Sequence, residues 1–390
     1  MTLPMLIVIA AGVVAFHARG WVRFWLPVAW VIGAHVQVAW TSISSEWLFT
    51  QVDVSPIMGA VARFGSLPTA LACLFVAASA GEALAHRRRA WFGPAALVLV
   101  ALAIVPPPPR GDPSALAGVG VVHLRAPLEV PAVDEVDGDL ELVVWPEASF
   151  AAQPVISEGA VDGARFGSRL GSGAAAHLIG VTTPPRYGSQ NMAVAVAPDG
   201  SITGARAKQI LFPVFERRFL GLGIDRFVEG RAAPVLPVAG RAVIPLICGE
   251  LLTPRLAREG LAAGGDFLAV MASDRYQAHL AQPRWQVLAH LRLRAIESGL
   301  PGVYASLEGQ AAIVAPDGQV LAESDPDAPS GVLTWTASSG ADDRIPARRP
   351  DVAVLFSAAT PDLRPDCRRD DASITTSSRS PARRSVRHGP

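Results

Sequence analysis

"RAVIPLICGELLTPRLAREG", residues 241–260, decides the fold class. Residues 242–248 are an apolar run of strand length, and residues 251–264 carry apolar side chains at helical spacing. A strand that feeds a helix through so short an elbow is the repeating unit of an α/β fold. The same texture extends in both directions. "GVGVVHL" (118–124), "LELVVW" (140–145), "AHLIGVTT" (176–183), "MAVAVA" (192–197) and "FLAVMAS" (267–273) read as further strands. "RWQVLAHLRLRAIESG" (284–299) reads as a second helix. Ala-Pro-Asp-Gly occurs twice, at 197–200 and 315–318. Pro sets the turn φ and Gly supplies the left-handed residue, so each copy predicts a hairpin. Alternating strands and helices with two hairpins predict an α/β sandwich of mixed sheets.

Ahead of this region the chain is more apolar. Half of the 390 residues are hydrophobic, 17% are charged, and mean hydropathy is +0.32. Four apolar segments account for the excess: Met1–His17, Trp21–Trp40, Ser55–Ala85 and Ala90–Val105. A membrane span needs about 20 apolar residues, so these predict a bundle of about four transmembrane helices. Arg19 and Arg23 follow the first segment and Arg87, Arg88 and Arg89 precede the fourth, whereas the loop at 41–55 carries only Glu46 and Asp53. The positive-inside rule puts both arginine clusters in the cytoplasm and everything after the fourth segment outside it. The expectation is a multi-pass inner-membrane protein with its folded domain in the periplasm. The domain bounds read 1–106 for the transmembrane helices, 107–117 for a Pro-rich linker, 118–338 for the α/β domain and 339–390 for an Arg-, Ser- and Pro-rich tail. Such a tail cannot assemble a core and is predicted to be disordered.

Composition also excludes. Net charge is zero, which gives a nucleic-acid partner no electrostatic footing. Cys73, Cys248 and Cys367 form no CxxC pair, and the eight histidines show no metal-ligand spacing. "GSRLGSGAAAHLIG" (167–180) lacks the spacing of a nucleotide cradle. No cofactor is called for.

Three polar residues remain at strand ends, where an α/β fold places its chemistry. Glu147 follows "LELVVWP", Lys208 follows "GSITGARA", and Cys248 ends "AVIPLI". Singly, they also read as a solvated strand end, a surface lysine and a buried thiol. Lys208 is a special case, because it is the only lysine in a chain with 34 basic residues.

Taken together, "VVWPEASF" (143–150), "GARAKQILFPVFE" (204–216) and "PLICGE" (245–250) resemble the nitrilase, or carbon–nitrogen hydrolase, superfamily. Its Glu-Lys-Cys triad occurs in this order after three strands. The resemblance implies an α-β-β-α sandwich with Glu147, Lys208 and Cys248 as the catalytic residues. The apolar N-terminal half, with "EWLFTQVDVSPIMGAVARFGSLPTA" (46–70), is similar to the apolipoprotein N-acyltransferase branch. By that likeness Glu216 and Glu250 are supporting glutamates that orient Lys208 or the incoming nucleophile. In size and character the chain also resembles acyltransferase-like conjugal-transfer proteins of rhizobial plasmids.

The implied chemistry starts from a thiol that is mostly protonated at neutral pH and needs a base. Glu147 takes its proton, Cys248 forms a thioester, and Lys208 together with the Cys248 amide stabilises the oxyanion. An amine acceptor makes the enzyme an N-acyltransferase, and water makes it an amidase. A non-catalytic conjugation component is the third reading. The partners implied are a membrane lipid as acyl donor and a lipoprotein or pilus component as acceptor. An aromatic residue usually follows the cysteine in these enzymes, whereas Gly249 does here. That difference implies a reshaped acyl pocket.

Overall fold

The structure is a computed structural model that describes residues 48–86, 92–126, 140–149, 156–157, 160–161, 174–183, 189–230, 234–275, 285–325 and 328–335, with the isolated residues 29 and 33. Three helices come first: α1 (Ser55–Phe64), α2 (Ser66–His86) and α3 (Phe92–Ala103). The α/β region follows. Apart from a two-stranded ribbon of Ile156–Ser157 with Ala160–Val161, its strands are β1 (Val119–Leu124), β2 (Leu142–Val144), β3 (Ala176–Thr182), β4 (Asn191–Val196), β5 (Ile202–Ala207), β6 (Leu236–Val238) and β7 (Arg241–Ile247). They continue with helix α4 (Pro254–Ala262), β8 (Phe267–Ser273), helix α5 (Trp285–Ser298), β9 (Gly302–Leu307), β10 (Ala312–Val314), β11 (Val320–Glu323) and β12 (Gly331–Thr334).

The strands run in the order β5-β4-β3-β2-β1-β9-β8-β7-β6, with β10 added beside β9, β11 beside β10 and β12 beside β1. Strands β1, β8 and β9 are buried along nearly their whole length, as continuous apolar runs of central parallel strands should be. The joint between β1 and β9 is short: only His123 with Ser306 and Leu124 with Leu307 pair across it. Toward their other ends β1 pairs instead with β12, and β9 with β10. The sheet therefore divides there into two layers. One core cluster combines Val121, Val144, Leu178 and Ala195 of the first layer with Ile247, Phe267, Met271 and Ile313 of the second. The inter-sheet core of a sandwich is built this way.

Helices α4 and α5 cover the outer face of the second layer, where Leu256, Leu291 and Ala295 meet Ile244, Val270 and Tyr304. The outer face of the first layer is a further cluster that includes Val122, Trp145 and Ile179. Among the described residues no helix covers it, so the expected second helical layer is not seen there. Both predicted hairpins form. Gly200 N–H donates to Ala197 O and Gly318 N–H to Ala315 O, each at 2.9 Å, with glycine φ values of 84° and 82°. The left-handed φ is the reason glycine stands at those two positions.

The N-terminal helices depart from the four expected spans. Met1–His17 lies outside the described residues, as does nearly all of Trp21–Trp40, and no helix among the described residues is long and apolar enough to cross a membrane. Ser55–Ala85 is two helices rather than one, parted at Gly65, whose φ of 83° no helix can hold. Among the described residues the fourth segment is helical over Phe92–Ala103. Helix α1 and the turn at Leu48–Gln51 before it pack on the α/β region: Leu48, Met58 and Val61 bury against Leu293 and Ile296 of α5. Burial of side chains this size contributes about 1.5–3 kcal/mol each. Polar ties reinforce the contact. Ser66 Oγ donates to Glu297 Oε1 at 2.9 Å, and Arg292 pairs with Asp53 at 2.7 Å. Residues 339–390, the predicted tail, lie outside the described residues.

Candidate active site

Four loops at strand ends converge on Cys248. The cysteine follows the last residue of β7 directly and has φ of 51°, a left-handed value that a residue with a Cβ rarely adopts. Such a conformation costs about 1–3 kcal/mol and persists only where the surroundings enforce it. Enforcement comes from Glu250, which is fully buried two residues on. Its Oε2 accepts the Ile247 amide at 2.8 Å and pairs with Arg206 Nη2 at 2.9 Å. Its Oε1 accepts the amides of Gln209 at 2.7 Å and Ile210 at 3.3 Å. One carboxylate thus locks the cysteine elbow to the backbone just after Lys208. Glu250 reaches the lysine through that backbone and not through its side chain.

Lys208 is 1% exposed and sits between two carboxylates. Its Nζ is 2.8 Å from Glu216 Oε1 and 3.3 Å from Glu147 Oε1. Burial works against the ammonium, but Glu147, Cys248 and Glu216 outweigh it and hold the lysine well above its ordinary pKa. The opposite balance applies to the thiol. Burial and the charge of Glu147 push Cys248 far up, Lys208 opposes them, and Glu216 and Asp274 add to the rise. At neutral pH the resting pair is therefore an ammonium beside a thiol, and the thiol has to lose its proton to a base before it can act as a nucleophile.

Glu147 is 6% exposed and also accepts the Asn191 amide group at 2.5 Å. Its position depends on Gly180 of β3. A Cβ on Gly180 would come within 2.8 Å of Glu147 Cα, closer than real contacts allow, so glycine there lets the glutamate loop lie against the strand. Glu216 belongs to a loop that leaves Lys208 and returns to it. Glu216 Oε2 accepts the Phe212 amide at 2.7 Å, and the Gly230 amide donates to Lys208 O at 2.8 Å.

The structure brings Glu147, Lys208, Cys248 and Glu216 together and sets Glu250 behind them. It also adds residues that the sequence reading missed. Asn191 holds Glu147, and Arg206 neutralises Glu250. Asp274, at the end of β8, accepts hydroxyls from Tyr304 at 2.8 Å and Ser306 at 2.6 Å. A signal existed for Arg206, since strand alternation puts residues 206 and 208 on one side. A polar residue opening the apolar run at 191–196 was a weaker one.

Comparison with known proteins identifies the family. The carbon-nitrogen hydrolase family model matches residues 129–340. The apolipoprotein N-acyltransferase of Agrobacterium fabrum is 28% identical over 224 residues, covering 52% of this chain and 41% of that protein. That of Shewanella oneidensis is 25% identical over 349 residues, covering 82% and 65%. The chain thus spans between 41% and 65% of these relatives' lengths. Among solved structures, a carbon-nitrogen hydrolase from Helicobacter pylori aligns with a TM-score of 0.43 at 15% identity, over 55% of this chain and 87% of that one. Because the family model spans more than half of the 390 residues, the chain belongs to the carbon-nitrogen hydrolase family.

Proposed function

We propose that the protein is a membrane-anchored acyltransferase that carries an acyl group as a thioester on Cys248 and passes it to an amine. The observation that carries this reading is the Glu147–Lys208–Glu216 ion-pair cluster beside a cysteine held at a left-handed elbow. In the first half-reaction Glu147 takes the Cys248 proton and the sulfur attacks the donor carbonyl. The ammonium of Lys208 and the Cys248 amide offset the oxyanion charge. Glu147 then returns the proton to the leaving oxygen or nitrogen as the thioester forms. In the second half the acceptor amine attacks that thioester, Glu147 takes the amine proton, and the thiol is reprotonated as it leaves.

Amine transfer is preferred over hydrolysis because both relatives above are N-acyltransferases, and they align over as much as 82% of this chain. A phospholipid donor and a lipoprotein or pilus-component acceptor fit that reading, as does an inner-membrane location with the active site facing the periplasm. Exposed apolar side chains on α3, Leu97, Leu99 and Val100, are in keeping with a lipid neighbour. The likeness read in the sequence to acyltransferase-like conjugal-transfer proteins of rhizobial plasmids, the TraB type, extends the proposal to a role in plasmid conjugal transfer.

The test is intact-protein mass spectrometry after incubation with phospholipid. A fatty-acyl mass gain that hydroxylamine removes, and that Cys248→Ala abolishes, is the expected result. No adduct, with ammonia released from small amides instead, would replace the proposal with an amidase.

A further inference from the structure

Gly249 follows the nucleophile, and its φ lies outside the left-handed region, so its backbone does not require glycine. What limits the position is a side chain from another loop. A Cβ built on Gly249 would lie 3.3 Å from Phe212 Cδ2 and 3.8 Å from Cε2, and among the described residues no other atom beyond its chain neighbours comes within 4 Å. The ring of Phe212 would have to give by a few tenths of an ångström to admit even the first carbon of a residue-249 side chain.

Phe212 is also tied to the catalytic charges. Its amide donates to Glu216 Oε2 at 2.7 Å, while Glu216 Oε1 takes the Lys208 ammonium at 2.8 Å. The ring tilts against Phe215 with centroids 5.8 Å apart, and Phe215 is 56% exposed. An aromatic pair therefore runs from the residue beside the nucleophile out to solvent. Its inner member is held through its backbone by Glu216 and meets Gly249 at its edge.

We infer that Phe212 is the specificity-determining residue of the acyl site: its ring walls the acyl group on Cys248, and Gly249 is glycine to leave room for that ring. This rests on the thioester reading above and adds the residue that chooses among acyl groups. The wall stands next to Cys248 itself, so substituents nearest the carbonyl meet it first. Branching at the α-carbon is then disfavoured against a straight chain. Because the contact with Glu216 is made by the backbone, changing the ring leaves the charge cluster in place.

The test uses the detergent-solubilised full chain with p-nitrophenyl butyrate and p-nitrophenyl isobutyrate, reading nitrophenol release and the acyl-Cys248 mass. Phe212→Ala is expected to raise kcat/KM for isobutyrate relative to butyrate about tenfold, the scale of one misplaced carbon in an apolar site. Phe212→Leu, which keeps more of the packing, shifts the ratio part of the way. The exchange Phe212→Gly with Gly249→Phe returns the ratio toward the original, and all three keep the pH profile. An unchanged ratio in both Phe212→Ala and Phe212→Leu, with acyl-Cys248 forming normally, overturns the inference and leaves the thioester reading standing. Absence of acyl-Cys248 in the unaltered protein with either ester overturns both.

Discussion

Lys208 and Glu216, eight residues apart on one loop, form a 2.8 Å ion pair at the floor of the site. The pair turns a single lysine into a fixed positive point between two carboxylates, beside a thiol that burial keeps protonated. Its geometry suits a compact ammonium. A guanidinium is a broad planar fork that cannot take the same place between Glu147 and Glu216 without moving one of them.

Lys208→Arg should therefore keep charge and fold but lose turnover. Removal of one well-placed oxyanion partner costs about 10²–10³-fold in rate, and a misplaced cation should fall in that range. Single-turnover acylation of Cys248 would measure it, with circular dichroism to check the fold. A variant that acylates at the original rate would remove Lys208 from its proposed role.

Glu250→Gln probes the elbow. It leaves the Arg206 guanidinium buried opposite a neutral amide that can no longer accept at both ends. Breaking one side of a buried pair costs about 3–5 kcal/mol. Glu259→Gln, which breaks the half-exposed pair with Arg255 on α4, should cost no more than about 0.5 kcal/mol. Urea unfolding of the two variants side by side gives the comparison, and equal losses would deny Glu250 its locking role.

Glu297 gives the contact between the start of α2 and α5, made through Ser66, a dependence on pH. Burial tends to raise its carboxyl, but Arg294 and Arg258 pull harder and hold it below its ordinary value of 4.5. A depressed folded-state value means stabilisation that is complete above about pH 5. It is lost as pH falls through the folded value. Thermal unfolding should be flat from pH 7 to 5.5 as far as this group is concerned and decline below pH 4.5, with a shallower decline in Glu297→Gln. Hydrogen exchange at pH 7 adds a local readout: amides at the start of α2, where Ser66 meets Glu297, should lose protection in that variant. Equal protection in both proteins would show that the network does not hold the helix.

Much of this molecule was legible before any tertiary structure. Strands β1, β3, β4, β7 and β8 fall within a residue or two of their apolar runs, because a strand covered on both faces needs an unbroken run to bury. The two Ala-Pro-Asp-Gly hairpins follow from φ alone. Glu147, Lys208 and Cys248 could be singled out because each stands within three residues of a strand's end, a relation that stays local in the chain.

The relations between those residues were not local, and only the tertiary structure decided them. Glu147 reaches Lys208 across 61 residues and Arg206 reaches Pro245 across 39, distances over which sequence pattern carries no information on side-chain contact. The fit of Glu147 against Gly180 depends on how closely two backbones approach, and that of Phe212 against Gly249 on where a ring from another loop comes to lie. Ser55–Ala85 makes the same point from the other side. Its apolar run read as one membrane span, yet Gly65 parts it into two helices, and Met58 and Val61 of α1 are buried against α5. Hydropathy records that a face avoids water, and contact alone decides whether lipid or protein covers it.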